Sequence, residues 1–269
     1  MRRFPGMFVV AVTLGLGLFA SGCQDKINFL RARNELNHGV RAFTAADYAS
    51  AISRFDAAIE LDPELLAARS YRASAYMMQY IPGGESEENR QVAQKALTGF
   101  EEVLSRDPAN EVALASMASL FFNMKEFDKA KEAYRTLLQH NPNNKEALYT
   151  IGVINWSITF PRDMEVRASL GMRPEDPGPI KDNEARLELA KQNTPLLEEG
   201  LKALNDALKI DPEYDNAMAY VNLLYRRQAD LAATKEEYEQ LNAQADDWVQ
   251  KSLQAKKRKA DAEIQEAFQ

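Results

Sequence analysis

Reactive side chains are sparse in this 269-residue chain, which has one cysteine, Cys23, and two histidines, His38 and His140. A thiol can carry an acyl group or ligate a metal, and an imidazole can bind metal or move protons. Neither histidine has a cysteine or paired carboxylates at metal-ligand spacing, so both are read as structural or surface groups, with His38 at a helix-packing position. Ser169-Leu170-Gly171 lacks the preceding glycine of a nucleophile elbow, and no Gly-rich phosphate loop follows a strand. An active site would have to be assembled from polar residues such as Arg162, Asp163, Glu165 and Arg167. The expectation is a non-enzymatic protein with no metal and no cofactor.

The reactive position with a context of its own is Cys23. It follows a basic start (Arg2, Arg3), an apolar run from Phe8 to Phe19, and Ala20-Ser21-Gly22. That run falls short of the ~20 apolar residues that cross a bilayer, so it is read as the apolar region of an export signal. The pattern resembles the signal of bacterial lipoproteins, with Ala20 where leucine is usual. The resemblance implies cleavage after residue 22 and a covalent lipid on Cys23. Gln24 rather than aspartate in the next position implies an outer-membrane anchor facing the periplasm. With Cys23 acylated, no disulfide is possible, and stability must come from helix packing.

The elements that would position any site are helical. Glu111–Pro142 reads as two amphipathic helices with apolar positions at 3.6-residue spacing and small residues Ala118 and Ala130 where the two would meet. Asp62-Pro63, Asp107-Pro108, Asn141-Pro142 and Asp211-Pro212 punctuate the chain at intervals of 45, 34 and 70 residues. Proline stops a helix, and the Asp or Asn before it is expected to cap the next one.

This pattern resembles the tetratricopeptide repeat, whose period is about 34 residues. Its small first-helix residue is matched by Gly39, Ala73, Ala118 and Gly152, and its second-helix alanine by Ala51, Ala96 and Ala130, with Gly200 departing. Its large second-helix residue is matched by Phe55, Phe100, Tyr134 and Leu204. The resemblance implies an all-α right-handed superhelix, an α-solenoid of antiparallel helix pairs. The expected organisation is a signal peptide (1–22), a tether (23–31), four to five helix pairs (32–233) and a charged C-terminal capping helix and tail (234–269). Extra residues fall near 80–88 and 157–194. The second of these reads as a loop from Ser157 with one short helix, Asp182 to Gln192, because Pro174, Pro177 and Pro179 forbid a continuous helix; a degraded extra repeat is the alternative, and Thr194-Pro195 reads as the start of the next helix. From Lys235, Tyr238, Leu241, Ala245, Trp248 and Leu253 recur at helical spacing.

In this family the first helix of each pair lines a concave groove. Carried over, that places Phe43, Met77, Phe122, Tyr149, Trp156, Leu223 and Arg226 on its wall, an apolar and aromatic surface suited to a protein or peptide partner. The family's carboxylate clamp is absent. The alternative is a groove filled by the 157–194 insertion or the C-terminal helix. The formal charge of −7 disfavours nucleic acid. The basic run Lys256–Lys259 reads as a solvated helix face. The functional expectation is a membrane-anchored adaptor or scaffold in envelope assembly or secretion, or, alternatively, a self-associating structural protein of the envelope.

Overall fold

The computed structural model describes the backbone of residues 13–267 and side chains from Gln24 to Glu266. Residues 1–12 of the expected signal peptide (1–22) and the side chains of residues 13–23, Cys23 included, lie outside this description. All regular elements among the described residues are helices, arranged as a solenoid of helix pairs. They divide into two compact units between Leu120 and Phe121.

The first unit holds α1 (Thr13–Thr44), α2 (Tyr48–Leu61), α3 (Leu66–Met77), α4 (Glu87–Leu104) and most of α5 (Glu111–Asn123). Helix α1 packs on α2, α2 on α3 and α3 on α4. Its core joins Ala51, Phe55 and Ala75 to a second cluster of Ala32, Ala58, Leu65 and Ala68. Small side chains dominate these seams because the helix backbones approach closely, leaving room for one large ring, Phe55. Residues 80–86 form the expected loop. Ser86 accepts from the Asn89 amide, and the Asn89 side chain bonds Ile81 and Gly84, tying the loop to the helix it precedes. His38 is exposed rather than packed: it points off the outer side of α1, while its neighbour Gly39 faces Phe55.

The second unit contains α6 (Phe127–His140), α7 (Lys145–Ser169), α8 (Asn183–Ile210), α9 (Asp215–Asp230) and α10 (Lys235–Ala267). Helix α7 packs on α6, α8 and α9; α9 packs on α8 and α10. Leu197, Leu204, Ala217, Val221 and Leu224 form the core.

Two expectations change here. The long interval is not a loop starting at Ser157, because α7 continues through Pro161 to Ser169 and only residues 170–182 are irregular. Nor does Pro195 start a helix; it lies inside α8, which begins after Asp182. Both prolines are exposed, and both helices run through them because their flanks are held by tertiary packing. Of the α10 residues at helical spacing, Ala245 is buried, together with Ser252 and Ala255, while Leu253 is 55% exposed.

The Asp-Pro and Asn-Pro punctuation works as a stop. Asp62, Asn141 and Asp211 are the C-caps of α2, α6 and α8. Each side chain accepts from the amide two residues on, an Asx-turn that competes with further helix. The following helix is capped three residues later, by the side chains of Asn110 and Asn144 at two of these sites.

Gly152 of α7 shows why the small position recurs. A Cβ there would lie 2.4 Å from Leu204 Cγ in α8, which is fully buried. Gly152→Ala should therefore cost about 1–3 kcal/mol by overpacking, despite alanine's better helix propensity. Chemical denaturation of the variant checks this.

Candidate functional site

Helices α7 and α9 present a continuous row of half-buried aromatic rings. Tyr214 lies 5.2 Å from Tyr149, Tyr149 lies 5.5 Å from Tyr220, Tyr220 lies 5.7 Å from Trp156, and Trp156 stacks on Phe160 at 5.0 Å. All four separations suit attractive edge or stacked ring pairs. Tyr149, Trp156 and Phe160 share one face of α7 by their spacing of seven and four residues. A cation closes each end of the row: Lys145 sits 5.1 Å from Tyr214, and Arg227 sits 5.4 Å from Phe160.

Burial and the neighbouring Tyr220, Tyr214 and Asp215 push the Tyr149 phenol up to about 12, and burial with nearby Glu146, Asp211 and Asp215 does the same for Tyr214. Burial also raises Tyr220. The phenols are neutral hydrogen-bonding groups at any physiological pH. The row offers apolar area with polar rims, the chemistry of a protein-binding surface.

Of the expected groove residues, Tyr149 and Trp156 are therefore brought together, while the others are placed differently. Phe122 pairs with Phe127 at 5.9 Å, beside an open cleft of about 380 Å³ lined by Lys125, Phe127, Ile158 and Arg162 among others. Leu223 is half-buried. Arg226 turns toward α10, bonding Asn222, Asn242 and Asp246, so it serves the α9–α10 pairing. In the first unit, Phe43 makes edge contacts with Tyr48 (5.6 Å) and Tyr71 (6.0 Å), and Met77 is half-buried. Tyr214 and Tyr220 do not follow from the sequence because ring-to-ring contact between α7 and α9 depends on how the two helices pack, which no spacing within one helix records; Phe160 has the spacing, four residues after Trp156, but falls in the stretch read as an insertion.

Behind the row lies a buried polar layer. Asp163, Arg167, Asn193 and Asp230 are almost wholly excluded from solvent. Arg167 pairs with Asp230 and donates to the carbonyls of Asp176 and Gly178, both at 3.2 Å. Arg227 lies 2.9 Å from Asp230 and 3.4 Å from Asp163. Asn193 donates to Asp163 at 3.0 Å. The Ile180 amide bonds Asp230 oxygen, and the Ile180 side chain is buried. Loop 170–182 is thus pinned to the C-terminal end of α9. Asp163 and Arg167, named as possible catalytic groups, are occupied with this scaffolding, and Glu165 is exposed. The described residues hold no cluster of three or more metal-ligating side chains.

A second buried contact joins α6 to α7 and α8. Lys131 reaches Glu199 at 2.9 Å and Asn155 at 3.2 Å, and Arg135 also pairs with Glu199. Burial raises the Glu199 carboxyl, but bonds from Lys131 and Arg135 outweigh this and hold it below its ordinary range. At the C-terminal end, the basic run is partly engaged: Arg258 grips Glu213 and Lys259 pairs with Asp215.

Stacked helix pairs with a half-buried aromatic face are the architecture of repeat scaffolds for protein interaction. Residues 36–110 and 93–151 match tetratricopeptide-repeat family models, so this part of the chain carries tetratricopeptide repeats. Hsp70-Hsp90 organizing protein 1 of Glycine max is 32% identical over 111 residues, covering 41% of this chain and 17% of that protein. The chain spans about a fifth of the length of the curated relatives it matches. Among solved structures, MamA from residue 41 to its end, of Desulfovibrio magneticus RS-1, aligns with a TM-score of 0.56 at 15% identity, covering 85% of this chain and 96% of that one. YrrB, a tetratricopeptide protein, aligns at 0.50 and 16% identity, covering 83% and 90%. These likenesses show the fold.

Proposed function

We propose that the protein is a non-enzymatic scaffold, anchored by a lipid on Cys23 at the periplasmic face of an outer membrane, that holds a protein or peptide segment during envelope assembly or secretion. The observation that carries the binding part of this reading is the row Tyr214–Tyr149–Tyr220–Trp156–Phe160, five half-buried rings held in contact on two helices. Such an array offers an amphipathic helix or extended segment several anchoring rings at little entropic cost, because the rings are already fixed by one another. The matched repeats and the kinship with organizing proteins support it, as does YrrB, described as having an unusual peptide-binding site. The anchor rests on the basic start, the apolar run and Ala20-Ser21-Gly22-Cys23.

The test places a photo-crosslinking amino acid at Tyr220 in cells. The expected result is a discrete crosslink to one envelope protein, lost when Trp156→Ala is added. Trp156 is only half-buried, so the variant should lose less than the ~3–5 kcal/mol of a fully buried aromatic and remain folded. Crosslinks confined to the chain's own helices, or unchanged by Trp156→Ala, would overturn the reading.

A further inference from the structure

Residues 24–31 belong to the expected tether (23–31), with a reach of at most about 29 Å if extended. They are instead helical, the continuation of α1, rising only about 12 Å. This stretch carries an unusual surface. Ile27, Phe29 and Leu30 are 44%, 45% and 67% exposed within a little over one turn. Ala32, the next residue of α1 that is buried, marks the side turned to the core. At about 100° per residue, Ile27 and Leu30 lie roughly 140° and 160° around the helix from it, pointing directly away from the protein.

Cations frame these apolar groups. Lys26 and Arg31 form no ion pair among the described residues, and Arg33 lies 4.7 Å over the Phe29 ring. Asp25 is the sole acid between residues 24 and 33, in a chain whose formal charge is −7. The first acid further on, Glu35, is already held by Arg54 at 2.9 Å. An outward apolar strip edged by arginine and lysine is the surface that settles at the boundary of headgroups and acyl chains, where the side chains' stems bury and their charges meet phosphate. Cys23, the residue read as carrying the lipid anchor, lies three residues before Lys26, so the strip adjoins the proposed point of attachment.

We infer that the Lys26–Arg33 segment of α1 is an interfacial membrane helix, lying in the headgroup layer of an anionic lipid surface with Ile27 and Leu30 inserted and Phe29 on the flank of the strip beneath Arg33. This rests on the anchored reading above and adds to it. The chain is not hung from a flexible lipid tether but seated on the bilayer through the base of its first repeat helix, which fixes the tilt of α1 and of the helices packed on it.

The test uses the full chain expressed with its leader in an exporting host and reconstituted into vesicles of equimolar phosphatidylglycerol and phosphatidylcholine. An environment-sensitive fluorophore is attached at Leu30→Cys or, as a control on the exposed side of the same helix, at Asn37→Cys. Expected are a blue-shifted probe at position 30, quenched severalfold more strongly by shallow spin-labelled lipid than the probe at 37, and reversal by Lys26→Glu/Arg31→Glu/Arg33→Glu or by pure phosphatidylcholine. A chain that floats with vesicles while both probes read equally wet would leave the anchor standing and overturn the interfacial helix. Failure to float would remove both. A probe at 30 that stays dry in detergent, with doubled molecular mass, would show a second copy covering the strip and would equally overturn the inference.

Discussion

Arg167→Met should lower the unfolding free energy of the second unit by about 3–5 kcal/mol, the scale of removing one partner from a buried ion pair. Its guanidinium ties Asp230 at the end of α9 to the carbonyls of Asp176 and Gly178 in the loop. Methionine fills much of the volume but satisfies none of these acceptors. Arg227 stays beside Asp230, which puts the expected loss toward the lower figure. Loop 170–182 should also loosen, because the Ile180 amide bond to the Asp230 carbonyl would be left to hold it against the end of α9. Urea denaturation gives the first number, and limited trypsinolysis at Lys181 the second. Unchanged stability and protection would show that the pairing contributes nothing. Arg167→Met/Asp230→Leu should recover most of the loss, since a buried pair replaced on both sides by apolar groups is often neutral.

The second large effect concerns pH. Burial pushes the Asp163 carboxyl up to about 7, with Asp230 adding to the rise while Arg227, Asn193 and Arg167 oppose it. In the unfolded chain the same group titrates near 3.8. Between these values the folded state keeps a proton that the unfolded state has released. Stability from this group is therefore complete below about pH 4, falls as pH rises, and is lost above about pH 7. Asp163→Asn removes the titration and keeps an acceptor for Asn193. The variant should match wild type near pH 4 and exceed it at pH 8 by an amount on the order of 2–4 kcal/mol, at ~1.4 kcal/mol per unit. Glu199, Asp206 and Asp211 are shifted downward and contribute the opposite slope, but equally in both proteins, so the difference isolates Asp163. Parallel curves across this range would show that Asp163 is ionised in the fold.

These two residues illustrate where sequence reading stopped. Arg162, Asp163, Glu165 and Arg167 form a polar group along the chain, and such a group is as compatible with an active site as with scaffolding. What separates the readings is Asp230, more than sixty residues away, and the folding of loop 170–182 back on α9. Their roles depend on partners at long sequence separation.

The helical architecture was legible because its causes are local. A 3.6-residue apolar period, small residues at each close crossing and an Asp-Pro or Asn-Pro stop are properties of neighbouring residues, and each is visible as Gly39 against Phe55 or Gly152 against Leu204. Element ends were less legible where tertiary packing overrides local preference. Pro161 and Pro195 both break the local rule, yet α7 and α8 continue because their buried faces, Ile154 to Arg167 and Leu189 to Leu204, keep each helix in register against the other. The proposed binding face was half legible: Tyr149 and Trp156 follow from periodicity and Phe160 shares their face of α7, but Tyr214 and Tyr220 join them only when α7 and α9 meet. The sequence by itself determined a repeat solenoid with Asp-Pro and Asn-Pro stops between its helices, because amphipathic period and turn chemistry are short-range. Only the tertiary structure decided which rings touch, which charges are buried and which way Ile27 and Leu30 face, because those depend on the rotation of each helix against its neighbours.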